Sequence, residues 1–248
     1  MTEIIEEAWR AYSVEYSLYQ ETGAEHRRQN QSTQDCWNYI EAGETVICGL
    51  ADGQSGRAYS REGAAAVLCC LTGAINRMGI EGLRGYAFPD ERQYALGKMV
   101  RQDLRRLVKA HAVSWEEIGS TFALLAIDTC TGDYASVHLG DGIIIGVQQD
   151  RKIVHISNPE KGFLPNSTWL STSEQLFQHI RVSFGNVEKL DRILLATDGV
   201  DSFAMGAGLT LPAMQLLKKQ GPQELLDYLK STQPRDDATL LDLTIYRR

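Results

Sequence analysis

Proline and cysteine are both scarce in this sequence. Six prolines are spread over the 248 residues and mark no linker or domain cut, so the sequence predicts a single domain over residues 1–248. The five cysteines are an odd number and include no Cys-x-x-Cys pair. Disulfide-rich scaffolds and zinc fingers are therefore excluded, and reduced thiols are predicted.

Basic residues are outnumbered, and long apolar runs are missing. The chain carries 25 Lys and Arg against 32 Asp and Glu, a net charge of −7, whereas nonspecific nucleic-acid binding needs a basic surface. No apolar run reaches the roughly 18 residues of a membrane-spanning helix, and the acidic first residues lack the layout of a signal peptide. We therefore expect a cytoplasmic protein with neither nucleic acid nor a membrane as a partner.

The hydrophobic pattern predicts groups of strands separated by pairs of helices. Residues 1–22 are expected to be helical or loosely attached, and 157–190 to be irregular. The order argues against a doubly wound βαβ sheet and favours an α+β fold, in which helices pack outside antiparallel sheets. The predicted elements are a hairpin of strands 36–41 and 45–51, helices at 56–78, about 91–112 and within 211–230, and strands at 121–127, 133–139, 143–147, 193–196 and 239–246.

Acidic residues stand at the ends of these strands. Asp52 follows the apolar strand 45–51, Asp198 follows 193–196 after one residue, and Asp35 precedes the first strand of the hairpin. Central strands that end side by side would bring these carboxylates together, where they repel one another unless cations lie between them. Oxygen ligands of this kind select hard ions such as Mg²⁺ or Mn²⁺.

Two further acidic positions are open to other interpretations. Asp236 and Asp237 both precede the last strand, and because successive side chains of a strand alternate, at most one of them should face a metal site. Asp141-Gly142 lies between two predicted strands and is expected to form a two-residue hairpin turn. Asp-Gly is in general a common turn pair, so no single site of this kind is specific.

Taken together, the motifs resemble the type 2C (PPM) metal-dependent Ser/Thr protein phosphatases, bacterial subgroup, in that family's order from about Gly23 to Tyr246. Each motif is weak alone, whereas the ordered set is specific. The segments that carry the resemblance are Gly23-Ala24-Glu25-His26, Gln34-Asp35, Ala51-Asp52-Gly53-Gln54-Ser55-Gly56, Gly119-Ser120-Thr121, Leu139-Gly140-Asp141, Leu195-Ala196-Thr197-Asp198-Gly199 and Arg235-Asp236-Asp237-Ala238-Thr239.

The resemblance implies a four-layer α-β-β-α sandwich with two divalent metal ions in a cleft at one edge. Asp52 would bridge the ions, Asp198 and Asp236 would bind the first, and the Gly53 carbonyl would bind the second, whose waters Asp35 would hold. A hydroxide shared by the two ions would attack the phosphorus of phosphoserine or phosphothreonine in line. The family's closing pattern aligns its ligand with Asp236 rather than Asp237.

Cofactors and partners follow from the same resemblance. The implied cofactors are two Mg²⁺ or Mn²⁺ ions and a possible weak third, for which Glu116 is a candidate beside its plainer interpretation as an exposed helix-end residue. The implied partners are a phosphorylated protein substrate and a Ser/Thr kinase. Residues 157–190 fall where the family carries a variable flap, which implies a role in substrate choice.

The chain departs from the family pattern at two functional positions. Asn30 stands where eukaryotic members have a phosphate-binding arginine, which leaves His26, Arg27 or Arg28 for that role. Gln54 stands where other members have a proposed general-acid histidine. Because a neutral amide cannot protonate a leaving group, that step is left to water or to His26.

Asp52, His26 and Arg28 are therefore the candidate catalytic residues. Two other functions remain open: a phosphoprotein-binding pseudophosphatase that keeps the fold, and a small-molecule phosphomonoesterase. Mn²⁺-dependent hydrolysis of an aryl phosphate would separate an enzyme from the pseudophosphatase. A comparison of phosphopeptides with small phosphate esters would identify the substrate class.

Overall fold

Two five-stranded antiparallel sheets form the centre of the protein. The computed structural model describes residues 10–162, 167–200, 222–231 and 233–248. The first sheet has the strand order β1-β10-β9-β6-β7 and the second β2-β3-β4-β5-β8. The strands are β1 Tyr12–Glu21, β2 Cys36–Ala42, β3 Thr45–Ala51, β4 Phe122–Asp128, β5 Asp133–Leu139, β6 Ile143–Gln148, β7 Ile153–Ser157, β8 Arg181–Asn186, β9 Leu190–Ala196 and β10 Ala238–Arg247.

Helices cover the outer faces of both sheets. α2 packs on the second sheet and against α3, while leucines of α5 join a cluster with β6, β9 and β10 of the first sheet. This arrangement confirms the predicted α+β, four-layer α-β-β-α sandwich. The helices are α1 Ala24–Arg28, α2 Ser60–Arg84 with a kink at Gly79, α3 Pro89–His111, a 3-10 helix Trp115–Ile118, α4 Leu176–His179 and α5 Pro222–Ser231.

The central strand β3 shows how the sequence builds these layers. Its residues alternate between two faces: Val46 and Cys48 join the core between the sheets, whereas Ile47 and Ala51 pack with α2. A strand buried on both faces reads as a continuous apolar run, which is the pattern of 46–51. All five cysteines are free thiols, as the sequence predicts.

α2 is long and apolar enough to cross a membrane by length and composition. The sequence analysis, which considered only uninterrupted apolar runs, overlooked this. Half of the helix's most apolar window is buried inside the protein, where Leu68, Leu71 and Ile75 join the core cluster. The core helix of a globular protein passes the same test, so α2 gives only weak support for a membrane span.

Three sequence expectations are wrong. Within 1–22, residues 12–21 form β1, which pairs along its whole length with β10. Within 157–190, residues 181–186 form β8, which pairs with β5. Asp141-Gly142 is not a hairpin turn, because β5 and β6 belong to different sheets and the pair carries the chain from one sheet to the other.

The other predicted elements are present, most of them to within a few residues, although α2 extends to Arg84 rather than to residue 78 and β7 was not predicted. The 36–51 hairpin, both long helices and the strands at 121–127, 133–139, 143–147, 193–196 and 239–246 are all present. The helix predicted within 211–230 corresponds to α5 at 222–231, and its first part, 211–221, lies outside the described residues.

Candidate metal centre

Antiparallel pairing brings the predicted acidic residues to one end of the sandwich. In the second sheet the start of β2 lies beside the end of β3, with Cys36 opposite Ala51, so Asp35 and Asp52 emerge together. In the first sheet the end of β9 lies beside the start of β10, and Thr197 N donates to Thr239 O at 3.0 Å. Asp198 and Asp236 therefore emerge as a second pair.

Asp35 is fully buried and held by two hydroxyl groups. Its Oδ2 accepts hydrogen bonds from Thr239 Oγ1 at 2.7 Å and Thr197 Oγ1 at 3.0 Å. Its Oδ1 is buried without a hydrogen-bond partner. Burial raises the pKa of Asp35 to about 6, against the lowering effect of the Thr239 hydrogen bond. One oxygen is thus fixed by the fold, while the other is an unsatisfied acceptor.

Asp52 lies at the middle of the carboxylate group. Its carboxyl is within hydrogen-bonding reach of those of Asp35 and Asp198. Burial, and after it the charges of Asp35, Asp198 and Asp236, raise the pKa of Asp52 well above its ordinary value. Carboxyl groups held this close cannot all ionise unless positive charge joins them.

Asp198 belongs to the same group, and so does Asp141. Burial, followed by the charges of Asp141, Asp236 and Asp35, raises the pKa of Asp198 to about 7. Asp198 Oδ1 is also buried without a hydrogen-bond partner. The predicted hairpin turn at Asp141 gave no reason to place this residue beside Asp198. Its place between strands of two different sheets could have been recognised only from their pairing.

Gly53, the predicted carbonyl ligand, follows Asp52 and begins a short backbone pairing with the Gly119-Ser120-Thr121 motif. Gly53 forms a β-bridge with Ser120, and Gln54 N donates to Gly119 O at 2.9 Å. Thr121 N donates to Asp52 O at 2.9 Å. The Gly-Ser-Thr motif therefore fixes the backbone that carries Asp52 and Gly53.

The side-chain geometry of the group does not by itself define a position for a metal ion. Among the residues that the structure describes, no three His, Cys, Asp or Glu side chains have an arrangement that would hold a metal ion. The donor chemistry nevertheless fits divalent cations: the candidate ligands are all oxygens, and Asp35 and Asp198 each keep one buried oxygen without a partner. Cations would satisfy both acceptors and offset the burial, and after it the mutual repulsion, that raise the pKa values of Asp52 and Asp198.

Asp237 links the first motif to the last by hydrogen bonds, and after burial its charge is a further cause of the raised pKa of Asp35. The carboxylate is 2% exposed and accepts hydrogen bonds from Gly23 N at 2.7 Å and Gln34 N at 2.6 Å. It also binds His26 Nδ1 at 2.8 Å. His26 is therefore a buried, carboxylate-bound histidine rather than a solvated surface residue.

Two glycines make this close packing possible. A Cβ on Gly23 would lie 2.5 Å from the Asp236 carbonyl carbon, and one on Gly199 would lie 1.9 Å from Asp237 O. Both distances are far inside van der Waals contact, so neither position accepts a side chain without a backbone shift. The Gly-x-x-His motif and the closing Arg-Asp-Asp motif thus form one unit.

A cleft of about 430 Å³ opens beside this unit. His26 and Asp236 line it together with Arg235, Ser55 and Gly56, the last two from the loop after Gly53. Three residues are predicted from the sequence as candidates for binding phosphate: His26, Arg27 and Arg28. Of these, only His26 lines this cleft.

Arg27 and Arg28 lie outside the lining of this cleft. Arg27 Nη1 donates to Thr22 O and lies 3.4 Å from Glu21 Oε1. Arg28 is exposed at the end of α1 and does not line the cleft.

A second cleft, of about 510 Å³, is lined by Gln54, the residue before Ser55. Part of its wall comes from the segment after residue 167, within the predicted flap region. Trp115 Nε1 donates to Thr172 O at 2.9 Å and Arg101 Nη2 to Ser173 O at 2.8 Å. Glu116, the candidate for a third ion, is exposed and lines this cleft rather than the cleft lined by His26.

Comparison with known proteins identifies a family and a fold. A family model described as protein phosphatase 2C matches residues 22–232, whereas no curated protein sequence matches significantly. Among solved structures, RsbX in complex with magnesium is 16% identical and superimposes with a TM-score of 0.64, over 94% of this chain and 96% of that chain.

Two other solved structures are similar over nearly the whole chain. Serine/threonine phosphatase Stp1 from Staphylococcus aureus is 14% identical with a TM-score of 0.66, over 94% of this chain and 96% of that chain. The phosphatase domain of SpoIIE from Bacillus subtilis is 16% identical with a TM-score of 0.60, over 97% of this chain and 95% of that chain. At these identities the structural likeness establishes the fold.

Proposed function

The chain belongs to the protein phosphatase 2C family, and we propose that it is a Mg²⁺- or Mn²⁺-dependent protein serine/threonine phosphatase. The observation that carries the proposal is the group formed by Asp35, Asp52, Asp198 and Asp236 at the strand ends. Two of its buried oxygens have no hydrogen-bond partner, and burial raises the pKa values of Asp35, Asp52 and Asp198. An acidic group of this kind is unfavourable without cations.

The proposed ligands are the residues that the family pattern assigns. Asp52 would bridge two ions, with Asp198 and Asp236 on the first, the Gly53 carbonyl on the second, and Asp35 holding the second ion's waters. Two divalent ions would supply positive charge for the phosphoryl oxygens and lower the pKa of water. The buried hydroxyls of Thr197 and Thr239 orient Asp35 because both donate hydrogen bonds to its Oδ2. Its Oδ1 is left without a hydrogen-bond partner.

His26 is the proposed proton donor to the departing seryl or threonyl oxygen. Its Nδ1 is bound to Asp237, which leaves Nε2 as the ring nitrogen available to the cleft that His26 lines. Gln54, at the position of the histidine in other family members, cannot supply a proton.

The proposed substrate is a phosphorylated protein, which would lie across both clefts. A Ser/Thr kinase in the cytoplasm would phosphorylate this protein. Support for recognition by the 157–190 region comes from the hydrogen bonds of Trp115 and Arg101 to residues 172–173. These bonds hold one wall of the second cleft next to Gln54, so changes in this segment should alter the choice of peptide.

The test is hydrolysis of phosphoserine and phosphothreonine peptides by the purified chain with Mn²⁺, Mg²⁺ or a chelator. We expect metal-dependent release of phosphate, and a higher kcat/KM for the peptides than for aryl phosphate or phosphoserine alone. Hydrolysis of small esters without peptide hydrolysis would indicate a phosphomonoesterase. Absence of hydrolysis of every ester at millimolar Mn²⁺ would contradict the proposal and favour a pseudophosphatase.

A further inference from the structure

A phosphatase must hold a dianionic phosphoryl group, and the position expected to do so is not basic in this chain. Asn30 occupies it, exposed and with a left-handed φ of +54°. Arginine suits this task because its guanidinium donates two parallel hydrogen bonds to phosphate oxygens. The proposed function therefore requires a cation from elsewhere in the fold.

The cleft beside Asp236 contains one suitable residue. Of the described residues that line it, Arg235 alone carries a permanent positive charge, while Glu25 and Asp236 are acidic. A phosphate ester entering this cleft would meet those two carboxylates, so it needs a compensating positive charge on the same wall.

The backbone of Arg235 is held firmly at this place. Ala24 N donates to Arg235 O at 3.0 Å and to Pro234 O at 3.2 Å. Gly23 packs directly on Asp236, and the carboxylate of Asp237 binds Gly23 N. These contacts fix residue 235 between His26 and the candidate ligand Asp236.

The side chain of Arg235, in contrast, is uncommitted. It is exposed and forms no hydrogen bond or ion pair with any residue that the structure describes. A fixed backbone with an unpaired guanidinium is the arrangement that a ligand-binding arginine needs, because binding then breaks no existing ion pair.

The other nearby arginines are less suitable. Arg27 already donates to Thr22 O. Arg57 lies 3.4 Å from Glu117 and lines the second cleft, not this one. The side chain of Arg28 forms no hydrogen bond or ion pair with any residue in the described part of the chain, but it does not line the cleft.

We propose that Arg235 binds the phosphoryl group of the substrate and the phosphate product, in the place of the arginine that residue 30 lacks. The inference rests on the proposed function. Arg235 would direct its guanidinium at two phosphoryl oxygens from the side of the closing motif, opposite the loop of Ser55 and Gly56.

The test compares Arg235→Ala and Arg235→Lys with wild type in the Mn²⁺-loaded protein. Three quantities are measured: kcat/KM for a phosphoserine peptide, the inhibition constant of inorganic phosphate, and the calorimetric affinities for phosphate and for Mn²⁺. We expect Arg235→Ala to weaken phosphate binding and lower kcat/KM by about tenfold to a hundredfold, the usual effect of losing a charged hydrogen bond. Arg235→Lys should lie between, and Mn²⁺ affinity should stay unchanged.

Arg247→Ala is the matched control, because Arg247 is an exposed arginine at the far end of β10. Arg28→Ala tests the rival arginine. The inference is overturned if Arg235→Ala binds phosphate as tightly as Arg247→Ala does, if the loss appears in Arg28→Ala instead, or if Arg235→Ala loses Mn²⁺ affinity to the same extent. A wild-type chain without metal-dependent hydrolysis overturns both this inference and the proposed function.

Discussion

The two adjacent aspartates that precede β10 have different surroundings. Asp236 lines the cleft and contributes to the raised pKa values of Asp52 and Asp198. Asp237 is buried against Gly23, His26 and Gln34. Both residues precede β10, with Asp236 in a bend, so strand alternation does not explain the difference. The position of Asp236 in the cleft favours it as the metal ligand, as the family pattern does. The buried contacts of Asp237, however, were not foreseen from the sequence.

Asp236→Asn and Asp237→Asn should therefore fail in different ways. Asp236→Asn should keep its thermal stability but lose Mn²⁺ affinity and most of its activity, since it removes a charged ligand. Asp237→Asn should lower the free energy of unfolding by about 1–3 kcal/mol, because an amide cannot accept all three buried hydrogen bonds. Thermal melts and Mn²⁺ titrations of both variants check this. The opposite pattern would mean that Asp237 is the ligand.

At the scale of elements, the site depends on the contact between the segment that begins α1 and the segment that begins β10. Asp237 Oδ1 accepts from Gly23 N across 214 residues of sequence, and the backbone of Ala24 donates to residues 234 and 235. The short helix α1 has five residues and could not be stable alone. Its position therefore follows from this contact.

Gly23→Ala should disrupt that contact. The added methyl would lie 2.5 Å from the Asp236 carbonyl carbon, and overpacking of this kind costs about 1–3 kcal/mol. Activity should fall as well, because the shift displaces Asp236 and His26. Gly73→Ala in α2 is the control: its methyl would meet only the mobile end of Arg77 at 3.3 Å, and helical Ala is favoured over Gly. Equal melting temperatures for the two variants would contradict the account.

Local patterns determined what the sequence could predict. The β2–β3 hairpin and the long helices depend on neighbouring residues and were predicted. β1 was missed although Tyr12, Val14, Tyr16 and Leu18 alternate, because the acidic start of the chain suggested a loose segment. β8 pairs with a strand about fifty residues earlier, and its Gly185 weakens the strand pattern.

The placement of carboxylates at the strand ends was predictable for a similar reason. An aspartate after a buried strand is a local feature, so Asp52 and Asp198 could be selected from the sequence alone. The role of Asp141 depends on which sheet each strand joins, and the role of Asp237 on a contact across the whole chain. Neither long-range arrangement leaves a periodic signal.

For the whole molecule, the carboxylate group at one edge, with Asp35 buried and Asp52 and Asp198 half-buried, makes stability depend on pH and on cations. The pKa values of Asp35 and Asp198 rise from 3.8 to about 6 and about 7. At pH values between 3.8 and these raised pKa values, the folded, metal-free chain therefore holds more protons than the unfolded chain. Stability that is complete below the unfolded pKa must fall as pH rises through the folded pKa.

Melting temperatures of the chelator-treated chain should accordingly fall as the pH rises from 4 to 7 through the pKa values of Asp35 and Asp198. Asp198→Asn should show a shallower fall, because it removes one of the titrating groups. Saturating Mn²⁺ should reduce the dependence, and at a hundredfold excess over its Kd it should add about 2.7 kcal/mol to the free energy of unfolding. Metal-free stability that rises over this interval would contradict the account.

The central claim is that the carboxylate group at the strand ends binds divalent cations, and calorimetric titration of Mn²⁺ into the chelator-treated chain tests it most directly. Wild type should give a saturable isotherm, and Asp52→Asn should weaken the affinity by at least about tenfold, or 1.4 kcal/mol. Asp150→Asn is the matched control, because Asp150 is exposed and pairs with Lys152; it should bind like wild type. A wild-type chain that binds no Mn²⁺, or an Asp52→Asn isotherm equal to that of Asp150→Asn, would contradict the claim.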